Sequence, residues 1–351
     1  MAVTVVPLTM SYNMTELFDN MTGYGGSEPP SYVFVRRLQT VMFPIICIAG
    51  TVGNCLAVGA FFSKTLRNTS CCLYLGVKSL SDIGFLISVF IIFLFRVRVG
   101  IMSIQGICQI TIFLSYVCPF LSIWLVVVIT FENFIRISQP ALVPRICTTR
   151  MAQMVIFIYI TVSLAVYNFP FWTTGVDYGM CSALPQFQQI SIVYTYVDSL
   201  LTLVLPLVLM VILVPLVTVS ALQAHKRKMR LQAGKQRKDK KASPEAQVTR
   251  LLFAVSIVFI VLHTPSHSIR IKELVMQLIY NVSPSFNDLI VHRIFELFYY
   301  LDFCVSLAVY LIFGGNFRNV FKKKYFSRCN GKEKEKEPTT LESPVSQRLI
   351  K

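Results

Sequence analysis

Three ionisable side chains, Lys78, Asp82 and Asp302, stand inside otherwise apolar runs of the sequence. A charge in such surroundings is costly, so it normally faces a protein interior, finds a partner or lines an ion path. A second set gathers toward the ends of the apolar runs: Arg96, Arg98, His267, Arg270, Lys272, His292 and Arg293, with Glu296 and the aromatics Tyr299 and Tyr300. Guanidinium groups beside aromatic rings suit an anion or a peptide, through bidentate pairing and stacking. Each of these bases taken singly is equally suited to reaching for lipid headgroups. Enzyme chemistry has no comparable signal. There is no Gly-rich phosphate loop, GxSxG, HExxH or CxxC, and the four histidines (His225, His263, His267, His292) form no metal-ligand pattern.

The elements that must position these groups follow from composition. Of 351 residues, 54% are hydrophobic and 14% charged, against about 25% charged in a soluble globular chain. Such a chain cannot cover a soluble surface, and the same figures exclude disorder, collagen and a small disulfide scaffold. The net charge of +16, from 33 Lys and Arg against 17 Asp and Glu, does not mark a nucleic-acid binder, because nearly all of it sits in short segments between apolar runs. A membrane-spanning helix needs about 20 mostly apolar residues. Seven runs qualify, at 39–63, 73–95, 107–134, 151–172, 194–222, 249–271 and 290–313. The expected fold is an all-α membrane protein, a seven-helix transmembrane bundle over residues 39–313. Run three carries several Ser and Thr, as suits a helix surrounded by other helices. No internal repeat is visible, which weakens a transporter built from inverted halves. The first 38 residues hold no apolar core after a basic start, so no cleavable signal peptide is expected.

Direction follows from the bases. With the amino terminus outside, the outer segments hold seven Lys and Arg and the inner segments twenty-five, Lys78 lying within the second run. An excess of Lys and Arg marks the cytoplasmic side. The sequons at Asn13 and Asn20, in an extracellular tail over 1–38, and at Asn281 in the third outer loop agree with this, whereas the one at Asn68 falls in cytosol. Only Cys108 and Cys181 lie on the outer side, an even number in the oxidising compartment, and are expected to pair. The bridge would close a loop of roughly 73 residues, rated at about 4 kcal/mol by the chain-entropy model. After the last run, residues 314–329 carry Phe317, Phe321 and Phe326 with bases between them, the pattern of an amphipathic helix lying on the inner leaflet. Cys329 at its end is a candidate for palmitoylation or else a plain thiol. The polar, basic segment 226–246 is expected to be a solvated loop or a helical extension, and 330–351 a disordered cytoplasmic tail.

Seven spans, an outer amino terminus, a cysteine pair from helix three to a loop and an interfacial eighth helix together resemble the rhodopsin-like (class A) G-protein-coupled receptors, over about residues 35–330. Gly53-Asn54, Leu80-Ser81-Asp82, Glu132 at the base of helix three, Pro170, Pro206 and Pro265, Phe259 six residues before Pro265, and Tyr310 match positions of the family's motifs. Other positions depart from them. Helix three reads Glu132-Asn133-Phe134, without the family's arginine; helix six has His263 where Trp is usual; helix seven reads Ser306-Leu307-Ala308-Val309-Tyr310, lacking both Asn and Pro. The stretches from Leu73 to Leu86 and from Ile146 to Thr149 look like a divergent invertebrate branch of neuropeptide or chemosensory-type receptors.

The resemblance implies a set of roles. Asp82 would face Asn54, Ser122, Asp302 and Ser306, where the family binds sodium and favours the inactive state. Hard oxygen donors suit a small cation, two carboxylates could instead share a proton, and a plain hydrogen-bonded polar core is the remaining reading. No other metal or cofactor is expected. The ligand cavity would lie between the outer halves of helices three, five, six and seven, with Ser115, Tyr116, His267, Arg270, His292, Arg293 and Glu296 as candidate contacts. Helix three has no acid before Glu132, which speaks against an amine ligand, and helix seven has no lysine, which excludes a retinal Schiff base. The switch would involve Glu132, Asn133, Phe259, His263, Pro265 and Tyr310. With Asn133 in the arginine's place opposite Glu132 and Glu245, a loosely held resting state or unusual coupling is expected. The implied function is a non-enzymatic, multi-pass plasma-membrane receptor for an extracellular ligand, a neuropeptide first and a small chemosensory molecule second, signalling to a heterotrimeric G protein. An ion channel or transporter is the alternative outside this class.

Overall fold

The computed structural model describes residues 29–177, 179–232, 244–280 and 285–326. Among these described residues, seven helices long and apolar enough to cross a membrane follow one another: α1 (Pro30–Phe61), α2 (Ser70–Arg96), α3 (Gln105–Ser138), α4 (Thr149–Val166), α5, α6 (Pro244–Tyr280) and α7 (Phe286–Phe313). Helix α5 runs as Gln188–Asp198, a π-helical Ser199–Val204 and then Leu205–Gln232. A short α8 (Gly315–Tyr325) follows α7 directly. The sequons at Asn13, Asn20 and Asn281, and Cys329, lie outside the described residues.

Helix α3 is the axis of the bundle: 78% of its most apolar stretch is buried, against 22–44% in the other spans. It packs on α2, α5 and α6, while α1 closes against α2 and α7, and α6 against α7. The helices turn apolar residues outward and polar ones inward. On α1, Val41, Ile45, Ile48 and Val52 form an exposed stripe at helical spacing, while Gln39 and Asn54 are buried. That inversion suits a lipid surround, where buried polar groups need protein partners and the outer surface needs none.

The helix ends depart from the apolar runs in an instructive way. Helix α1 starts at Pro30 and α6 extends to both sides of 249–271, because Lys, Glu, Gln and Arg are good helix formers that continue a helix into water. Helix α4 is shorter than 151–172: it ends at Val166, and Pro170 opens a separate one-turn helix, Pro170–Thr173. Proline lacks the N–H that would continue α4 and is at home at a helix start. Pro206 follows the π-helical stretch of α5, where the missing N–H leaves the preceding turn free to widen. Thr148 caps α4 through the Met151 N–H, and Ser285 with Asp288 forms a capping box on α7.

Between α4 and α5, β1 (Thr174–Asp177) and β2 (Met180–Ala183) make a two-stranded hairpin with Val176 opposite Cys181. Gly179 at the turn has φ +76°, which glycine adopts without Cβ strain. Cys181 is bonded to Cys108 in the first turn of α3, with the Cα atoms 5.7 Å apart. Gln109 Nε2 donates to the carbonyls of Phe171 (2.9 Å) and Thr174 (3.1 Å), and Ser103 Oγ to that of Gly179 (2.8 Å). These bonds fix the hairpin across one end of the bundle, here called the disulfide end; α8 marks the other. Among the rings of α8, Phe317 and Phe321 are buried and pack against Phe61, Tyr310 and each other, as part of the core. Lys322, Lys323 and Lys324 stay exposed.

Candidate functional site

Midway along the bundle, Asp82 is fully buried, and helical spacing brings partners to it from three helices. Ser122 Oγ on α3 donates to its Oδ1 at 2.5 Å, and Ser306 Oγ on α7 lies 3.3 Å from Oδ2. Asn54 makes no hydrogen bond to it. Its Nδ2 donates to the Gly50 carbonyl of its own helix at 2.9 Å and ties α1 to α7 through the Phe303 carbonyl at 2.7 Å, and its Oδ1 has no hydrogen-bond partner among the described residues. From sequence alone Lys78 is a candidate for lining a path. In the fold its Nζ is 2.8 Å from Asp82 Oδ2, 3.4 Å from Ser306 Oγ and 3.8 Å from Asp302 Oδ2. Asp302 in turn stands 3.2 Å from His263 Nε2, within ion-pair reach though the ring is not aligned for a hydrogen bond. His263 stacks on Phe259 and reaches His267, Nδ1 to Nε2, at 3.3 Å. Pro265 lies inside α6 between the two histidines. The chain Asp82–Lys78–Asp302–His263–His267 thus crosses the interior from α2 to α6.

At the disulfide end the candidate bases separate into three groups. His292 Nδ1 pairs with Glu273 at 2.8 Å, and Lys272 pairs with Asp288 at 2.6 Å near the surface, where such a pair contributes little. Arg293 is buried and engaged. Its Nη1 donates to Gln39 Oε1 at 2.7 Å and its Nη2 to the Tyr32 hydroxyl at 3.2 Å. Gln39 passes the contact on, its Nε2 donating to Glu296 at 2.7 Å, while the Tyr300 hydroxyl donates to the same carboxylate at 3.2 Å. Arg293 and Glu296 are therefore joined through one carboxamide, which links α1 to α7. Arg270 differs. It is 7% exposed, its guanidinium lies 5.2 Å over the Tyr299 ring, and among the described residues neither terminal nitrogen has a hydrogen-bond partner. Asp198 on α5 faces it electrostatically and accepts a bond from the Tyr167 hydroxyl at 2.8 Å. Below, Tyr116 stacks on Tyr167 and meets Phe169 edge-on, and Ser115 bonds to the Ile112 carbonyl of its own helix at 2.7 Å.

At the α8 end the expectation of two carboxylates without a cation needs correction. Arg136, one turn after Glu132 on α3, donates through Nε at 3.0 Å and through Nη2 to the Glu132 carboxylate, and Ser70 Oγ on α2 donates to it at 2.6 Å. Arg136 Nη2 also reaches Ser70 Oγ at 3.1 Å. The guanidinium is displaced along the helix, not lost. Asn133 is fully buried, and among the described residues both its side-chain polar atoms lack hydrogen-bond partners. The side chain of Glu245 lies outside the described ones. Burial, with Glu132 adding to it, pushes the nearby Cys147 thiol up to about 11, which keeps it protonated and unreactive at neutral pH. Tyr310 packs edge-on against Phe61 and Phe317.

Several residues of these networks escape a reading of the sequence. Asp198 is an acid within the fifth run, so the rule that singles out Asp82 applies to it equally. The Glu132–Arg136 spacing of four is the standard ion-pair spacing of a helix. Gln39 and Tyr32 carry no such signal, because only the packing of α1 on α7 gives them partners.

A bundle of seven membrane-spanning helices, with a polar network through its centre and a disulfide-tied hairpin over one end, defines a transmembrane receptor architecture. The family described as "7 transmembrane receptor (rhodopsin family)" matches residues 53–308, and the chain belongs to it. Its members are signalling receptors and not enzymes, and the chain is accordingly a multi-pass plasma-membrane protein. It is similar to the Probable G-protein coupled receptor 34 of Mus musculus, with 23% identity over 326 residues, spanning 91% of this chain and 84% of that one. A mammalian relative carries no argument for the invertebrate branch.

Proposed function

We propose that this receptor takes an extracellular peptide that presents a carboxylate to Arg270, and that it signals to a heterotrimeric G protein at the α8 end. The observation that carries the ligand class is the buried Arg270 guanidinium, whose terminal nitrogens have no hydrogen-bonded acceptor among the described residues. An unmet buried donor costs about 1–3 kcal/mol, more when charged, so the site favours an incoming anion. Tyr299, whose ring lies under the guanidinium, would be the aromatic neighbour of that anion. G-protein coupling is supported by family membership and by the relative's printed name. In this reading the disulfide end is extracellular, as the distribution of bases requires, and the sequons at Asn13, Asn20 and Asn281 belong to that side. Cys329 becomes a palmitoylation site on the cytoplasmic side.

The test is a peptide-library screen with a calcium or cAMP readout on cells expressing the receptor, repeated with Arg270→Ala. An active peptide is expected to lose roughly 10- to 100-fold in potency, the equivalent of about 1.5–3 kcal/mol for a charge-assisted bond. Unchanged potency in Arg270→Ala would remove Arg270 as the anion's partner. Activation by small organic anions but by no peptide would move the receptor to the chemosensory reading.

A further inference from the structure

The family implies a sodium ion at the place Asp82 marks, and the donors around it fit a hard cation in kind: two carboxylates and two hydroxyls. The space does not fit one. Lys78 Nζ is already there, 2.8 Å from Asp82 Oδ2, within 3.4 Å of Ser306 Oγ and 3.8 Å of Asp302 Oδ2. Lys78 is 2% exposed and reaches this position from one turn before Asp82 on the same helix. Its ammonium carries the charge that a sodium ion would bring and offers three donors to the surrounding oxygens. The remaining carboxylate, Asp302, has a second polar neighbour in His263 Nε2 at 3.2 Å. The face of the Phe303 ring, 5.8 Å from Nζ, covers the ammonium from α7.

We propose that Lys78 is a tethered cation that takes the place of the family's dissociable sodium, so that the packing of α2, α3 and α7 around Asp82 does not respond to sodium. A diffusible ion binds according to its concentration and leaves when the site opens. An ammonium held by its own helix is present at a fixed and high effective concentration. The polar core is therefore set by the sequence and not by the ionic composition outside the cell. Removing the ammonium should uncover the sodium site, because Asp82, Ser122, Asp302 and Ser306 remain. An ordinary buried ion pair would behave differently: its loss would destabilise the protein, and sodium would not restore it.

Thermal unfolding of the purified, ligand-free receptor decides this, measured in sodium chloride and in N-methyl-D-glucamine chloride at equal ionic strength. The wild type should melt within about 1 °C in the two salts. Lys78→Met should melt lower in N-methyl-D-glucamine and recover by roughly 3–5 °C in sodium, and a further Asp82→Asn change should abolish the recovery. A wild-type shift of several degrees in sodium overturns the proposal, as does a folded Lys78→Met that ignores sodium. Should Lys78→Met fail to fold, Lys78→Gln, which keeps a polar side chain at the position, is read in the same way: recovery in sodium supports the tethered cation, and a folded variant that ignores sodium, or a sodium-dependent shift of the wild type, overturns it. The readout is independent of the ligand and of G-protein coupling, so failure of the peptide reading leaves this test intact.

Discussion

Arg136 and Glu132 are joined one turn apart on α3, with Arg136 Nε donating to Glu132 Oε1 at 3.0 Å. The arginine that the family carries directly after its acid is replaced here by Asn133, and a guanidinium reaches the same carboxylate from the next turn. Because Ser70 of α2 bonds to both partners, the pair also ties two helices together at the α8 end.

Replacing Arg136 by Ala leaves the Glu132 carboxylate buried with Ser70 as its remaining donor. Stability should fall by about 3 kcal/mol, the scale for breaking a buried pair, and basal second-messenger output should rise as α2 and α3 loosen. Asn133→Arg, in contrast, forces a guanidinium into a fully covered position. It should reduce surface expression without lowering basal signalling. Flow cytometry of tagged receptor, together with cAMP measured without ligand, checks both. A drop in basal signalling in Asn133→Arg at normal expression would return the switch to position 133.

Cys108→Ser and Cys181→Ser should lower surface expression and melting temperature to the same extent, with the double mutant no worse than either. Each breaks the one bridge that closes a 73-residue separation, worth about 4 kcal/mol in the chain-entropy model. Unequal single mutants would show that one thiol has a separate role.

Arg293→Met and Gln39→Leu should destabilise the receptor by about 2–4 kcal/mol each, because Glu296 is left buried without its bridge to a positive charge. Their effects should be strongly non-additive, since both act on one network. Arg270→Ala gives up the contact with Tyr299 and the countercharge to Asp198 but, among the described residues, no hydrogen bond of its terminal nitrogens, so its loss of stability should be smaller than that of either. A double-mutant cycle by thermal unfolding reads all three, and additive losses would dissolve the proposed network.

In α8, Phe317→Ala should cost about 3 kcal/mol, the range for truncating a buried aromatic, because Phe317 is 2% exposed against Phe61 and Tyr310. Phe326→Ala, at a ring 63% exposed, should leave unfolding unchanged. Equal effects would mean that the two rings share a membrane-facing role.

Seven spans, their order and the pairing of Cys108 with Cys181 were legible from residues alone. The physical reason is that apolar runs of spanning length must be helical in lipid, and two outer thiols have only each other. The cost of burying charge likewise marked Asp82 and Asp302 as interior. What each polar group meets inside was decided by the tertiary structure. Lys78 lies four residues before Asp82, but that its ammonium also reaches Ser306 and Asp302 depends on how α7 packs beside α2. The bases at the disulfide end looked alike in sequence, and only the approach of α1 to α7 gave Arg293 the partners Gln39 and Tyr32, while Arg270 lies over Tyr299 with no acceptor for its terminal nitrogens among the described residues. Composition and hydropathy act locally along the chain and so determine spans. Charge pairing in a buried core acts over distances of about 3 Å between segments hundreds of residues apart, and packing alone sets those distances.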